Sequence, residues 1–226
     1  MKTIEAVFFD LDGLLADTED VHYKSYNIVA EHLGIALSKK YMQSFYGIAT
    51  SENILMIMKD FNIKHHSYED ILKLRYDSYH SLIKETPLSP MEGAEVCIEK
   101  ISTKGLKSGL VTSSMKDHAL TVLKNISKHF NATGNLAGFF NVMVFGSEIT
   151  HLKPEPDIYT EAVRRLNIDP AKCAALEDSE AGVISAKRAG LFVVAVPNQH
   201  TNGQNFGMAD LSTASLLDVA GMDFLN

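Results

Sequence analysis

Apolar residues along this chain recur with two different periods. Ala6-Val7-Phe8-Phe9 is an unbroken apolar run, and short runs of the same kind lie at Ser108–Val111, Val142–Phe145, Cys173–Leu176 and Phe192–Val196. Runs of this length suit strands buried on both faces of a parallel sheet. Between them the spacing is that of helices, near Glu92–Ser102, Lys116–Ile126, Ile158–Leu166 and Ala181–Ala189. Strands alternating with helices predict βα units in an α/β fold, a doubly wound, Rossmann-like parallel-sheet core. From about Asp17 to Thr86 the strand pattern is gone. Val21, Ile28, Val29, His32 and Leu33, then Ile54, Leu55, Met58 and Phe61, then Ile71, Leu72, Leu74, Leu82 and Ile83 fall at helical spacing, which predicts an inserted all-helical cap domain. Pro87 and Pro90 end its last helix and mark the return to the core. The predicted division is 1–16 and 88–226 for the core and 17–87 for the cap, with the two crossing segments as a hinge. Asn131 to Gly138, polar and glycine-containing, reads as a surface loop.

Composition narrows the classes. At 226 residues with 46% apolar content, the chain can hold a core domain and a smaller one. The formal net charge is −7 and no run of Lys or Arg is long enough to track a phosphate backbone, so nucleic acid is not an expected partner. Cys97 and Cys173 lack metal-ligand spacing and read as small buried hydrophobes in a reducing compartment. Met1 to Leu15 is interrupted by Glu5, Asp10 and Asp12, and no apolar stretch reaches membrane-spanning length. The expectation is a cytoplasmic monomer with no membrane partner.

Candidate chemistry begins where the first strand should emerge into a turn. Asp10-Leu11-Asp12-Gly13 follows the first apolar run, and in an open α/β sheet the ligand crevice lies outside the carboxyl ends of the strands. A surface Asp-Gly turn is the alternative for this fragment alone. Three further polar clusters, Thr112-Ser113-Ser114, Lys153-Pro154 and Glu177-Asp178-Ser179, follow other predicted strands or the loops beyond them. Taken singly, the first reads equally as a helix N-cap, the second as a solvated lysine and the third as acidic capping.

In order, Asp10-Leu11-Asp12-Gly13-Leu14-Leu15 with Asp17-Thr18-Glu19, Leu110-Val111-Thr112-Ser113, Lys153-Pro154-Glu155-Pro156-Asp157 and Glu177-Asp178-Ser179-Glu180-Ala181-Gly182-Val183 resemble the haloacid dehalogenase superfamily. Within it the chain is similar to the branch of β-phosphoglucomutase and its small-molecule phosphatase relatives. The resemblance implies that Asp10 is the nucleophile and Asp12 the general acid and base. It implies a magnesium ion held by side-chain oxygens of Asp10 and Asp178 and by the backbone carbonyl of Asp12, with Glu177 in or near its shell. Magnesium favours hard oxygen ligands, which suits a site without His or Cys. Four acids against a divalent ion and Lys153 leave one net negative charge, and a proton on Asp12 would remove it. Thr112, Ser113 and nearby backbone N–H groups would bind the phosphoryl oxygens, and Lys153 would offset transition-state charge.

Substrate choice should lie in the cap, where Glu19, His22, Tyr46 and Thr50 are the candidate contacts. β-Phosphoglucomutases tend to carry Lys-Gly-x-Ser-Arg in the cap loop, whereas this chain has Tyr46-Gly47-Ile48-Ala49-Thr50, so the loop lacks the cation that grips a second phosphate. His65-His66 reads as a solvated turn rather than a metal site. The expected function is a magnesium-dependent phosphatase of a small phosphorylated metabolite, a sugar phosphate or nucleoside-like monophosphate, acting through an aspartyl-phosphate. A phosphosugar mutase is the alternative, and a non-catalytic binding or regulatory protein that keeps the fold is a third. A dehalogenase is disfavoured, because those relatives lack the second Asp and the metal requirement.

Overall fold

The computed structural model describes residues 3–130 and 135–222. Strand β1 (Ala6–Phe9) lies at the middle of a parallel sheet with β2 (Lys107–Thr112), β3 (Val142–Phe145), β4 (Cys173–Glu177), β5 (Phe192–Ala195) and β6 (Leu211–Ser212), in the order β3-β2-β1-β4-β5-β6. Phe9 is in register with Leu110 of β2 on one side and Leu176 of β4 on the other. The winding therefore reverses at β1, and a crevice opens at the carboxyl ends of β1, β2 and β4.

The apolar runs form strands because both faces are covered. Successive side chains on a strand point to opposite faces. Val7 and Phe9 enter one core cluster, while Ala6 and Phe8 enter the other.

The chain between β1 and β2 is helical: α1 (Glu19–Leu33), α2 (Lys39–Gln43), α3 (Thr50–Asp60) and α4 (Tyr68–Glu85). Their boundaries have local causes. Gly34 adopts the left-handed conformation that ends α1, and the Ser38 and Ser67 side chains accept backbone N–H groups at the starts of α2 and α4. Tyr26, Val29, Phe45, Ile54, Ile57 and Ile71 form a core of their own. The two crossing segments are tied together, since Asp17 N donates to Ser89 O at 2.9 Å and Met91 N to Leu15 O at 3.0 Å.

The remaining helices cover the sheet. Residues of α5 (Ala94–Thr103) and α6 (Lys116–Ser127) pack on one face, and those of α7 (Asp157–Leu166) and α8 (Glu180–Arg188) on the other; α9 (Leu216–Ala220) joins the first group. Cys97 and Cys173 are buried thiols, as their sequence context suggested. His65 and His66 are exposed.

Two expectations change. The two-residue edge strand β6 has no apolar run to announce it, because both its residues are exposed. The predicted surface loop at 131–138 lies partly outside the described residues, and its described end is not a surface loop. Leu136–Phe139 forms a 3₁₀ turn, Leu136 is fully buried, and Phe139 and Phe140 set their rings edge-on to Phe9 at 6.2 and 6.1 Å. Apolar residues at Leu136, Phe139 and Phe140 outweigh the polar start of the segment.

Candidate active site

The carboxyl ends of β1, β2 and β4 bring the polar clusters together. Asp10 follows β1 directly, and its backbone N–H donates to Leu176 O at 3.2 Å, which fixes it beside β4. Thr112 is the last residue of β2 and Glu177 the last of β4, so both sit on the sheet itself rather than in the loops beyond it. Lys153 comes from the loop before α7. Its ammonium donates to Asp10 Oδ1 at 2.5 Å, Glu177 Oε1 at 2.6 Å and Val111 O at 3.0 Å.

Burial makes these contacts strong. Lys153 is 5% exposed and Glu177 fully buried. A charge taken from water is tolerated only when paired and hydrogen-bonded. Desolvation alone would favour a neutral lysine, but the two carboxylates outweigh it and raise the Lys153 pKa. Tyr159, packed on the same ammonium, donates its hydroxyl to Glu177 Oε1 at 2.5 Å. Gly182 makes room for Glu177, since a Cβ there would lie 1.9 Å from Glu177 Oε2.

Asp10, Glu177 and Asp178 place one oxygen each within 4.8 Å of one another, all buried. Glu177 Oε2 has no hydrogen-bond partner among the described residues. Burial, opposed by the Lys153 ammonium, pushes the Asp10 carboxyl up to about 7, and burial with the neighbouring acids raises Asp178 well above the usual carboxylate range. Carboxylates crowded in this way call for a cation, and an all-oxygen donor set suits a hard divalent ion. Asp178 is steadied by Asn198, whose amide donates to Asp178 Oδ2 at 2.9 Å and to Gly13 O at 3.1 Å. Gly13 has φ +82°, and a Cβ on it would stand 2.4 Å from Asp178 Oδ2, so the motif glycine is required here.

Asp12 has a different environment two residues along. Ser114 donates to Oδ2 at 2.6 Å, Thr18 and Tyr79 donate to Oδ1 at 2.9 and 3.1 Å, and Thr112 lies 3.5 Å from Oδ2. Burial works to raise its pKa, but the donors from His22, Ser114 and Thr18 win and hold it well below the usual value. These donors favour the carboxylate of Asp12, against the expectation of a proton there.

His22 lies beside Asp12, with Nε2 at 3.6 Å from Asp12 Oδ1. Arg75 on α4 donates from Nη2 to His22 Nδ1 at 2.7 Å. A guanidinium only donates, so Nδ1 is the acceptor and the ring proton of neutral His22 sits on Nε2, facing Asp12. Burial and Arg75 lower the His22 pKa. The pair is thus a neutral imidazole against a carboxylate, despite its ion-pair separation.

Glu19, Tyr46, Thr50 and Ser113 line the same cavity as Asp10, Asp12 and Lys153. Burial, with Asp12 and Asp17 nearby, pushes Glu19 up to about 8, and its Oε2 is unpartnered among the described residues. Tyr46 leans toward the core, its hydroxyl 3.4 Å from His200 Nδ1 and its carbonyl accepting from Gln204. Thr50 opens α3.

Sequence reasoning missed Tyr79 and Asn198 as site residues and gave no role to Ser114. Ser114 was legible from the Thr-Ser-Ser cluster, but Tyr79 sits at an ordinary core position of a helix. The lack of a cation in the cap loop does not extend to the rest of the cap. Arg75 lines the cavity from α4, 1% exposed.

Comparison with known proteins agrees with this arrangement. A family model described as haloacid dehalogenase-like hydrolase matches residues 7–196. A phosphorylated carbohydrates phosphatase of Thermotoga maritima is 33% identical over 192 residues, covering 83% of this chain and 82% of the relative. The β-phosphoglucomutase of Bacillus subtilis is 29% identical over 85% of this chain and 83% of its own. Among solved structures, CbbY from Rhodobacter sphaeroides in complex with xylulose-(1,5)bisphosphate superposes with a TM-score of 0.84 at 25% identity, covering 99% of both chains. Among the described residues no helix is long and apolar enough to cross a membrane.

Proposed function

The chain belongs to the haloacid dehalogenase-like hydrolase family and is a phosphoric monoester hydrolase, and from that premise we propose that it hydrolyses a small phosphorylated carbohydrate through an aspartyl-phosphate on Asp10, with magnesium as cofactor. The observation that carries this reading is the contrast between two neighbouring aspartates. Asp10 is held by Lys153 inside the acidic cluster, while Asp12 is turned to hydroxyl donors beside the cavity. Carboxylates kept in opposed environments divide nucleophile from acid and base.

In this mechanism Asp10, Glu177 and Asp178, with the backbone carbonyl of Asp12, hold the magnesium ion. Magnesium supplies the positive charge that lets a dianionic ester approach four acids. An Asp10 oxygen attacks phosphorus as the ester P–O bond breaks. Lys153 keeps Asp10 aligned and offsets charge spreading over the phosphoryl oxygens, which Thr112 and Ser113 receive. Asp12 must deliver a proton to the leaving alkoxide. Its hydrogen-bond donors favour the carboxylate, but an arriving phosphate dianion is a like charge and raises its pKa. A water molecule then attacks the phosphorus, gives a proton to Asp12, and Asp10 departs as a carboxylate.

Substrate selection is assigned to the helical insertion, residues 17–87, acting as a cap on a core of 1–16 and 88–226. Glu19, His22, Tyr46 and Thr50 are the cap-side contacts in this reading. The carbohydrate class rests on the Thermotoga maritima relative, whose name specifies phosphorylated carbohydrates. The buried Arg75 favours one second reading, a phosphosugar mutase, because it offers a cation that the cap loop does not. Phosphorus NMR of β-glucose 1-phosphate with a bisphosphate primer separates the two, since a mutase isomerises faster than it releases phosphate.

The test is a panel of sugar phosphates assayed for phosphate release. Activity should require magnesium, vanish in EDTA and be absent from Asp10→Asn, whose amide cannot accept the phosphoryl group. Full turnover in EDTA would end the proposal.

A further inference from the structure

The loop after β5, residues 198–204, reaches both the acidic cluster and the helical insertion through two side-chain amides. Asn198 makes the first link. Its Oδ1 accepts the backbone N–H groups of His200 at 2.8 Å and Thr201 at 3.2 Å, while Thr201 Oγ1 accepts Asn198 N at 3.0 Å. With the oxygen committed to this turn, the amide nitrogen faces Asp178 Oδ2 at 2.9 Å and Gly13 O at 3.1 Å. The side chain is thus oriented by its own backbone partners. Thr201, buried within the turn, lines the cavity that holds Asp10 and Asp12.

Gln204 makes the second link. Its Oε1 accepts Glu180 N at 2.8 Å at the start of α8, which turns Nε2 toward Tyr46 O at 3.0 Å in the loop between α2 and α3. His200 supports the same contact, its ring 5.3 Å from that of Tyr46 and its Nδ1 3.4 Å from the phenol oxygen. Gly47, at φ +78°, lets the Tyr46 loop lie directly on the core, since a Cβ there would stand 2.9 Å from Ser179 Cβ, next to Asp178. Backbone hydrogen bonds join the two links: Thr201 N and Asn202 N donate to Asn198 O at 3.2 and 3.0 Å, and Gln204 N to Thr201 O at 2.9 Å. Hydrogen-bonded chains of this kind carry coupling between sites.

We propose that Asn198 is a positioning residue for Asp178, and that its loop couples the magnesium site to the seating of the Tyr46 loop on the core. This deepens the phosphatase reading and rests on its assignment of Asp178 to the metal. The Asn198 amide donates to one Asp178 oxygen and fixes how the carboxylate is turned. A partner of this kind orients a ligating group and tunes its affinity for the metal. Displacing the Tyr46 loop pulls on Gln204 and, through the turn, on Asn198. Magnesium, by ordering Asp178, holds the turn and the Tyr46 loop in place. The coupling is reciprocal, as linkage between two equilibria requires.

The experiment compares the unaltered full chain with Asn198→Ser, Gln204→Met and the double variant. Serine keeps a side-chain acceptor for the turn but is too short to reach Asp178. Methionine is neutral and of similar length but holds neither Glu180 N nor Tyr46 O. Magnesium affinity is read by calorimetry with the metal alone, and the Tyr46 loop by hydrogen exchange of residues 44–50 with and without magnesium. Asn198→Ser should weaken magnesium binding by about 10- to 100-fold, the usual effect of losing a group that orients a ligand. Gln204→Met, whose own contacts include no acid of the cluster, should weaken it by about 5-fold. The double variant should bind no more weakly than Asn198→Ser, because the link is already cut. In the unaltered chain magnesium should slow exchange across 44–50, and in either variant it should not. Unchanged affinity in Asn198→Ser, losses that add in the double variant, or loop exchange indifferent to magnesium would each overturn the inference. Unchanged affinity in Gln204→Met would do so even if Asn198→Ser did not fold. No magnesium binding by the unaltered chain would instead sink the metal assignment beneath the inference.

Discussion

At the scale of single residues, the chemistry depends on giving two aspartates different neighbours. Ser114, Thr18 and Tyr79 reach Asp12 but none of them reaches Asp10, while Lys153 does the reverse. Asp12→Asn keeps the size and most of the acceptor contacts but cannot carry the proton. Its turnover should fall by about 10² to 10⁴, the usual worth of a general acid and base, with a smaller loss for substrates with good leaving groups. Steady-state kinetics on an aryl phosphate and a sugar phosphate give that comparison, and equal losses on both would contradict the role. Asp10, Asp12, Lys153 and Asp178 were legible as motif residues. Tyr79 was not, because an aromatic residue on a helix gives the same sequence signal whether it meets solvent, core or a cavity.

At the scale of elements, strands deliver the site and helix starts complete it. The runs at β1, β4 and β5 were readable because burial on both faces removes polar interruptions. Edge strand β6 was unreadable for the converse reason. Helix α8 begins against Glu177, and Ser179 caps it by accepting from Gly182 N at 3.2 Å. Gly182 therefore links cap geometry to the acidic cluster. Gly182→Ala is expected to destabilise the protein by about 1–3 kcal/mol through overpacking and to weaken magnesium binding as Glu177 is displaced. Urea unfolding and a magnesium titration measure the two effects; unchanged values for both would show that the close approach is dispensable.

At the scale of the whole molecule, the insertion folds around its own core and still shares the site, since Asp12 is held by Thr18 and Tyr79 from one side and Ser114 from the other. That two-sided construction was only half legible: helical periodicity located the insertion, but nothing in a linear pattern shows which of its side chains face the core. Crowding the acids also couples stability to pH. The folded protein raises Asp10 from 3.8 to about 7 and Glu19 from 4.5 to about 8. The native state then binds protons that the unfolded chain has released, so this contribution is present below pH 4 and lost as pH rises through 7 and 8. In EDTA the melting temperature should fall between about pH 5 and about pH 8, and magnesium should restore more at the upper end. A metal-free protein that grows more stable over that window would contradict the burial argument. The central claim, that Asp10 accepts the phosphoryl group and Asp12 only manages the proton, is tested most directly by intact mass spectrometry and peptide mapping of Asp12→Asn after exposure to magnesium and an aryl phosphate. The account predicts a mass increase of one phosphoryl group located on Asp10. A phosphoryl group on any other residue would contradict it.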